Sequence, residues 1–250
     1  MLAFHDNGEG RPLIWIHGFP HASAIFQPQL TLSGLRHIRV DLPGFGASSA
    51  PIEALTIADY SEEILSVLDH LRIEKTLAAG ISMGGYILMQ ILRDAPHRIE
   101  GAILINTRER ADSDPSREDR YKMIAGIEKD GIEGVVDTML PKMIFNASRR
   151  AGFREIMMTA TAKGMIAAQR AMAGRPDSTS TLRELELPAL IIASDHDPIT
   201  SVDDAQRMAG LIKRSKRVVI ENAAHASNFD QPEAFNRTVT EFIGTRFGSK

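Results

Sequence analysis

Short apolar runs that alternate with helical patterns constrain the fold of this 250-residue chain more than any other feature. Several runs lack the polar and apolar alternation of a half-exposed strand, which favours parallel strands covered on both faces. The clearest helical pattern lies at residues 57–71. The predicted strands are residues 12–16, 37–41, 76–81, 101–106, 188–194 and 217–221, with an edge strand at 2–5. This order predicts an α/β fold with a doubly wound, mostly parallel sheet.

The alternation is interrupted once, at residues 107–182, where helical patterns follow one another without a convincing strand. This segment contains seven of the eleven methionines, and thioether side chains adapt to irregular apolar surfaces. An insertion after a strand end also lies where α/β sheets place their ligand crevice. We therefore predict an α/β core of residues 1–106 and 183–250 and a helical cap of residues 107–182. Met139 and Met143 are candidate substrate contacts, although packing between helices is the simpler interpretation of any single methionine.

Composition excludes several classes of function. The net charge of −3 gives no overall basic field that would attract nucleic acid or an anionic membrane. Because cysteine is absent, disulfides, zinc–thiolate sites and a thiol nucleophile are excluded. No apolar run approaches the roughly 18 residues needed to span a bilayer, and no signal peptide is visible. We expect a cytoplasmic protein, and the sequence leaves its oligomeric state open.

Residues 80–84, Gly-Ile-Ser-Met-Gly, have the form G-x-S-x-G. The motif follows the predicted strand 76–81 and precedes a helical pattern at 86–92, so it occupies a strand-to-helix turn. Such a turn strains the backbone of its central residue and leaves no room for side chains beside it, which Gly80, Gly84 and Gly85 satisfy. The context predicts a nucleophile at Ser82, and the alternative is a Gly-Ser connection without a chemical role.

A second loop, His-Gly-Phe-Pro at residues 17–20, follows the predicted strand 12–16. Acyl transfer from a serine needs N–H donors for the oxyanion, normally one from this loop and one from the residue after the nucleophile. Phe19 and Met83 are the candidates, because Pro20 has no N–H. We expect His17 to hold the loop by hydrogen bonds rather than to act as a base.

The candidate base is His225, which lies in an alanine-rich loop after the last predicted strand. A helix is predicted to begin just beyond it, with Asp230 as N-cap, Pro232 in the first turn and Glu233 three residues after the cap. These signals pin the loop at both ends. We therefore prefer a functional role for His225 over that of a solvated loop residue.

The candidate acid follows the predicted strand 188–194, where Asp195 and Asp197 offer two carboxylates. Only one of them can accept the Nδ1–H of His225. We favour Asp197, because Pro198 restrains the turn behind it, and Asp195 remains the alternative. His196 is expected to face solvent, and a metal site made from these three neighbours is disfavoured because adjacent residues rarely converge on one ion.

Together these motifs resemble the α/β-hydrolase superfamily, in particular its cap-bearing serine esterases and lactonases, including proteins similar to 3-oxoadipate enol-lactonase. The resemblance implies a triad of Ser82, Asp197 and His225, a Phe19 and Met83 oxyanion hole, and no metal or organic cofactor. It also implies a sheet that lacks the first of the usual eight strands. Epoxide hydrolases and haloalkane dehalogenases look similar but use an aspartate where this chain has Ser82. The matching motifs, in family order, are residues 17–20, 41–46, 80–84, 195–198 and 224–225 followed by Pro-Glu at 232–233.

The expected activity is hydrolysis of a small-molecule carboxylic ester or lactone through an acyl-enzyme on Ser82. The alternatives are a cofactor-independent perhydrolase or C–C bond hydrolase with the same triad, and a ligand-binding protein on a hydrolase scaffold. Arg108 and Arg110 follow the predicted strand 101–106 and are candidates to bind a substrate carboxylate. The competing interpretation makes them solvated charges at a hinge of the cap.

Overall fold

The computed structural model describes residues 1–49 and 55–248. Seven strands in this part of the chain form one sheet. Each predicted strand is present, and each predicted boundary lies within two residues of the observed one. The strands are β1 (Ala3–Asn7), β2 (Arg11–Ile16), β3 (Leu35–Asp41), β4 (Thr76–Ile81), β5 (Ile99–Ile105), β6 (Ala189–Ser194) and β7 (Ser215–Ile220).

The order of strands across the sheet is β1-β3-β2-β4-β5-β6-β7. β1 is antiparallel to β3, and every other neighbouring pair is parallel. This confirms the predicted mostly parallel sheet. The chain proceeds from β2 to β3 on one side and from β4 onward on the other, so a crevice opens between β2 and β4, where doubly wound sheets bind ligands.

The register of the strands aligns their carboxyl ends. Ile81 at the end of β4 pairs with Ile105 of β5, which in turn pairs with Ile192 of β6. Ser194 at the end of β6 pairs with Ile220 of β7. The loops that follow these four strands therefore meet at one edge of the sheet.

Both faces of the sheet are covered. Successive residues of β2 point into different hydrophobic clusters, with Ile14 and Ile16 in one and Leu13 and Trp15 in the other. Every residue of β4 and β6 is buried. The continuous apolar runs follow from this burial, because a strand covered on both faces has no solvent-facing position for polar residues.

Helices flank the sheet, and α1 shows how local sequence sets their limits. α1 begins after Thr56, which forms a capping box with Asp59, and it ends one residue before the predicted limit. No helix in the described ranges is both long and apolar enough to cross a membrane. The helices are α1 (Ile57–His70), α2 (Met83–Asp94), α3 (Asp114–Asp130), α4 (Glu133–Met143), α5 (Arg150–Met157), α6 (Ala162–Ala173), α7 (Thr179–Arg183), α8 (Val202–Leu211), α9 (Ser227–Asp230) and α10 (Pro232–Phe247), with 3-10 helices at Ser23–Thr31, Pro96–Arg98 and Ala147–Arg149.

Five helices, α3 to α7, lie between β5 and β6, and none of the residues from 106 to 188 forms a strand. α3 packs against α6, whereas α7 packs against α2 and α8 of the sheet layer and ends at Arg183. The two ends of the segment are joined, because the Ser178 amide donates to the Glu109 carbonyl at 2.8 Å. Division into a core and a separate cap at residues 107–182 stays a prediction, and residues 50–54 and 249–250 of the predicted core lie outside the described residues.

The predicted start of the last helix is partly wrong. α10 begins at Pro232 with Glu233 in its first turn, as expected, but its N-cap is Gln231, which makes no side-chain cap bond. Asp230 instead ends α9, and its side chain accepts the Ala224 amide at 2.8 Å. A carboxylate committed to a neighbouring loop cannot also cap the helix.

Candidate active site

Ser82 occupies a sharp turn between β4 and α2. Its backbone is held at φ 54° and ψ −115°, a region that residues with side chains rarely adopt. The turn is tight because Gly80 and Gly84 pack against backbone. A Cβ on Gly84 would lie 2.1 Å from the Ile16 oxygen, and one on Gly80 would lie 2.3 Å from the Gly84 oxygen. The turn places Ser82 directly before the positive end of the α2 dipole.

His225 and Asp197 are in direct contact. The Nδ1 atom of His225 lies 2.8 Å from the Oδ2 atom of Asp197, and both side chains are almost completely buried. The other ring nitrogen of His225, Nε2, is also buried and has no hydrogen-bond partner in the described residues. His225 and Ser82 line the same cavity. The structure thus unites the predicted acid and base and places the base and the predicted nucleophile on one cavity.

Several donors surround the Asp197 carboxylate. The amides of Ile199 and Thr200 donate to Oδ1 at 2.8 and 3.1 Å, and the Thr200 hydroxyl and the Asn106 amide donate to Oδ2. Burial alone would raise the pKa of Asp197, but attraction to His225 and these hydrogen bonds outweigh burial and lower the pKa to about 2. Asp197 is therefore ionised at neutral pH and able to orient an imidazole.

Asn106 is a site residue whose role the sequence analysis did not identify. It lies directly after β5 with φ 42°, and its side chain is a buried bridge. Its Nδ2 donates to Asp197 and to Ser194 Oγ, both at 2.9 Å, while its Oδ1 accepts the Ser227 hydroxyl at 2.7 Å. Position at the carboxyl end of a central strand was the available signal, and the partners 91 and 121 residues away were not visible.

Asp195, the alternative acid, has different partners. Its carboxylate accepts the amides of Asn222 and Ala223 at 3.0 and 3.2 Å and thereby shapes the loop after β7. His196 is about half exposed and stacks on Phe145 with ring centroids 4.3 Å apart. Within residues 1–49 and 55–248, no group of three acidic or imidazole side chains is arranged to hold a metal ion.

The loop after β2 approaches Ser82 closely. A Cβ on Gly18 would lie 2.9 Å from the Cβ of Ser82 and 2.7 Å from the Ile81 oxygen. Phe19, the next residue, lines the cavity that Ser82 lines, and Met83 begins α2 immediately after Ser82. The backbones of both predicted N–H donors therefore lie beside the serine.

His17 holds this loop, as predicted. Its Nε2 accepts the Leu42 amide at 3.0 Å, so the proton is on Nδ1, which donates to the Gly18 carbonyl at 2.8 Å. Burial lowers the pKa of His17 to about 4, despite opposing contributions from Gly18 and from the Asp41 charge. Asp41 in turn accepts the Ser23 amide at 2.8 Å, which gives it a structural role.

The cavity has a volume of about 260 Å³, and four methionines from residues 107–182 line it. Met139 and Met143, the two predicted substrate contacts, are among them, together with Met123 and Met172. The two arginines after β5 separate. Arg108 lines the cavity, whereas Arg110 is exposed and pairs with Asp204 at 3.3 Å.

Comparison with known proteins identifies the family. Residues 13–238 match the model of the Alpha/beta hydrolase family. The chain belongs to this hydrolase family. The match extends from β2 into α10, so it includes every residue of the site described above.

Individual relatives of this hydrolase have several different activities. 3-Oxoadipate enol-lactonase 2 of Acinetobacter baylyi is 29% identical over 214 residues, which cover 83% of this chain and 78% of that protein. Non-heme chloroperoxidase CPO-A1 of Kitasatospora aureofaciens is 25% identical over 263 residues, 97% and 95% of the two chains. A thermophilic esterase from Thermogutta terrifontis, solved with malate bound, superposes with a TM-score of 0.94 at 31% identity and covers 98% and 93%.

Proposed function

We propose that this protein is a serine hydrolase that cleaves a carboxylic ester or lactone through an acyl-enzyme on Ser82. One observation carries the proposal. The imidazole of His225 contacts the Asp197 carboxylate through Nδ1 while its buried Nε2 has no partner in the described residues, and His225 lines the cavity that Ser82 also lines. An imidazole oriented by a carboxylate and free at its second nitrogen is suited to accept a hydroxyl proton.

The reaction has two balanced halves. As the oxygen of Ser82 attacks the substrate carbonyl, its proton moves to Nε2 of His225, and Asp197 stabilises the resulting imidazolium. The amides of Phe19 and Met83 donate to the oxyanion of the tetrahedral intermediate. Its collapse transfers the proton to the leaving alkoxide and leaves an ester on Ser82. Water then attacks this ester, with His225 again accepting a proton, and the acid is released as Ser82 regains its own.

The lining of the cavity supports an organic substrate of limited size. Met139 and Met143 offer adaptable apolar contacts, and we assign them, together with Arg108, to substrate binding. The activities of the enol-lactonase and the esterase agree with ester or lactone chemistry.

The chloroperoxidase relative favours a second candidate function. If hydrogen peroxide replaces water in the second half of the reaction, the same triad releases a peracid. A C–C bond hydrolase or a ligand-binding protein on the same scaffold would behave differently again. Peracid formation at millimolar peroxide identifies a perhydrolase, and cleavage of a vinylogous diketone identifies a C–C bond hydrolase. A binding protein with a misaligned triad reacts slowly with a fluorophosphonate.

Ser82→Ala tests the proposal, with Ser148→Ala as the matched control, because Ser148 is exposed on a 3-10 helix and does not line the cavity. The measurement is kcat/KM on a panel of p-nitrophenyl esters and lactones. We expect Ser82→Ala to lose on the order of 10³-fold or more, with an unchanged circular dichroism spectrum, while Ser148→Ala matches the wild type. Substantial hydrolysis by Ser82→Ala would contradict the proposal.

A further inference from the structure

The charged side chains around the cavity are unequally compensated. Three cations and two carboxylates line it: Arg108, Arg120, Lys142, Asp112 and Asp119. Asp112 is engaged twice, since it accepts from Arg120 and pairs with Arg175 at 2.6 Å. Asp119 lies at the exposed rim and contacts Lys122 at 3.4 Å. Both carboxylates of the lining therefore have cationic partners of their own.

Arg108 lacks such a partner in the described residues. Its Nη2 donates to the Ile199 carbonyl, a neutral acceptor, and its Nε is buried without a hydrogen-bond partner there. The nearest acidic influence comes from Asp204, which already pairs with Arg110 and Arg207. A partly buried guanidinium with an open donor is costly unless an anion completes its contacts.

Arg108 also has a defined position relative to the reacting groups. The preceding residue, Thr107, donates its hydroxyl to the Ser82 carbonyl at 2.8 Å. The acceptor of Arg108, Ile199, donates its own amide to Asp197 at 2.8 Å. The guanidinium thus lies between the serine turn and the acid loop, on the cavity wall.

Lys142 lies on the other side. Its carbonyl accepts the His225 amide at 3.3 Å, so it is fixed beside the base loop. Its side chain is exposed and lines the cavity. Two cations therefore flank the pair formed by Ser82 and His225, one partly buried and one at the mouth.

We propose that this cavity selects substrates that carry an ionised carboxylate in addition to the ester or lactone carbonyl, with Arg108 as the carboxylate anchor. The Nε–H and a terminal N–H of a guanidinium match the two oxygens of a carboxylate, and Lys142 attracts the anion to the mouth. Monoesters of short dicarboxylic acids and lactones with a carboxylate substituent have this chemistry. The inference rests on the proposed function and adds the substrate class.

A pair of nearly isosteric substrates tests the anchor. The mono-p-nitrophenyl ester of glutaric acid carries a terminal carboxylate, and its glutaramic acid analogue carries a neutral carboxamide in the same place. For the wild type we expect kcat/KM to favour the carboxylate about tenfold or more. Arg108→Gln should remove this preference mainly through KM of the anionic ester, and Arg108→Lys should restore part of it. Arg110→Gln is the control and should keep the wild-type ratio, because Arg110 does not line the cavity.

The ratio separates anchoring from a purely structural role. If Arg108 only supports the acid loop through Ile199, its variants slow both esters equally and the ratio stays unchanged, which overturns the proposal. A wild type without preference for the carboxylate overturns it as well, while the Ser82→Ala result decides the hydrolase function separately. If Arg108 variants do not fold, inhibition of the wild type decides. Butyrate should compete with a neutral ester at about tenfold lower concentration than butyramide, and equal inhibition contradicts the anchor.

Discussion

Asp230 offers a test of how the base loop is held, because one buried side chain joins two segments there. It is 1% exposed and accepts three amides. Ala224, directly before His225, donates at 2.8 Å, while Phe145 and Asn146, just beyond α4, donate at 2.7 and 2.9 Å. Removing these oxygens leaves three amide groups without acceptors in a region that water reaches poorly.

Asp230→Ala should therefore be costly. Hydrogen bonds to a charged group contribute about 1.5–3 kcal/mol each, and partial replacement by water reduces their sum, so we expect unfolding free energy to fall by about 4 kcal/mol. For a chain of this size that corresponds to a decrease in Tm of about 10 °C. Asp230→Asn keeps one acceptor oxygen and should lose about half as much. Urea and thermal unfolding followed by circular dichroism measure both values.

Asp195→Ala is the matched control. Asp195 accepts two amides of the same loop, but its side chain is about one-third exposed, so water can replace it. We expect a loss of about 1 kcal/mol. Should Asp230→Ala destabilise no more than Asp195→Ala, the reasoning from the three buried amides is refuted.

Two further predictions concern Asp197 and the serine turn. Because folding lowers the pKa of Asp197 from 3.8 to about 2, its ionised form adds about 2 kcal/mol of stability that is present above pH 4 and is lost as the pH falls towards 2. The difference in urea stability between wild type and Asp197→Asn should shrink over that range, and a constant difference contradicts this linkage. Gly84→Ala places a Cβ 2.1 Å from the Ile16 oxygen and should cost about 3 kcal/mol or more, whereas Gly126→Ala, with nothing within 4 Å in α3, should stabilise by up to about 1 kcal/mol. Equal unfolding free energies for these two variants would contradict the close approach of the turn.

The strands and the serine turn could be predicted because their signals are local. β4 and β6 are apolar throughout, since both of their faces are buried. The glycines beside Ser82 are required by backbone contacts within the turn and with the adjacent β2. Short-range patterns such as these carry their physical cause within a few residues.

The incorrect and missing predictions involve contacts between distant segments. The sequence around Asp230 has the pattern of an N-cap, but its side chain also binds amides at residues 145 and 146, about 85 positions away. Asn106 reaches Asp197 and Ser227 across the sheet edge. The different positions of Arg108 and Arg110 depend on where α8 and the acid loop lie. Side chains at strand ends have partners that only the register of the sheet brings near.

The most direct test of the account is the site of covalent reaction. Incubation with a fluorophosphonate, followed by proteolysis and mass spectrometry, should find one adduct, on the peptide that contains Ser82. The rate of labelling should fall on the order of 10³-fold in His225→Ala, because the hydroxyl then has no base. An adduct on another residue, or labelling of Ser82 at the wild-type rate without His225, would contradict the proposed triad.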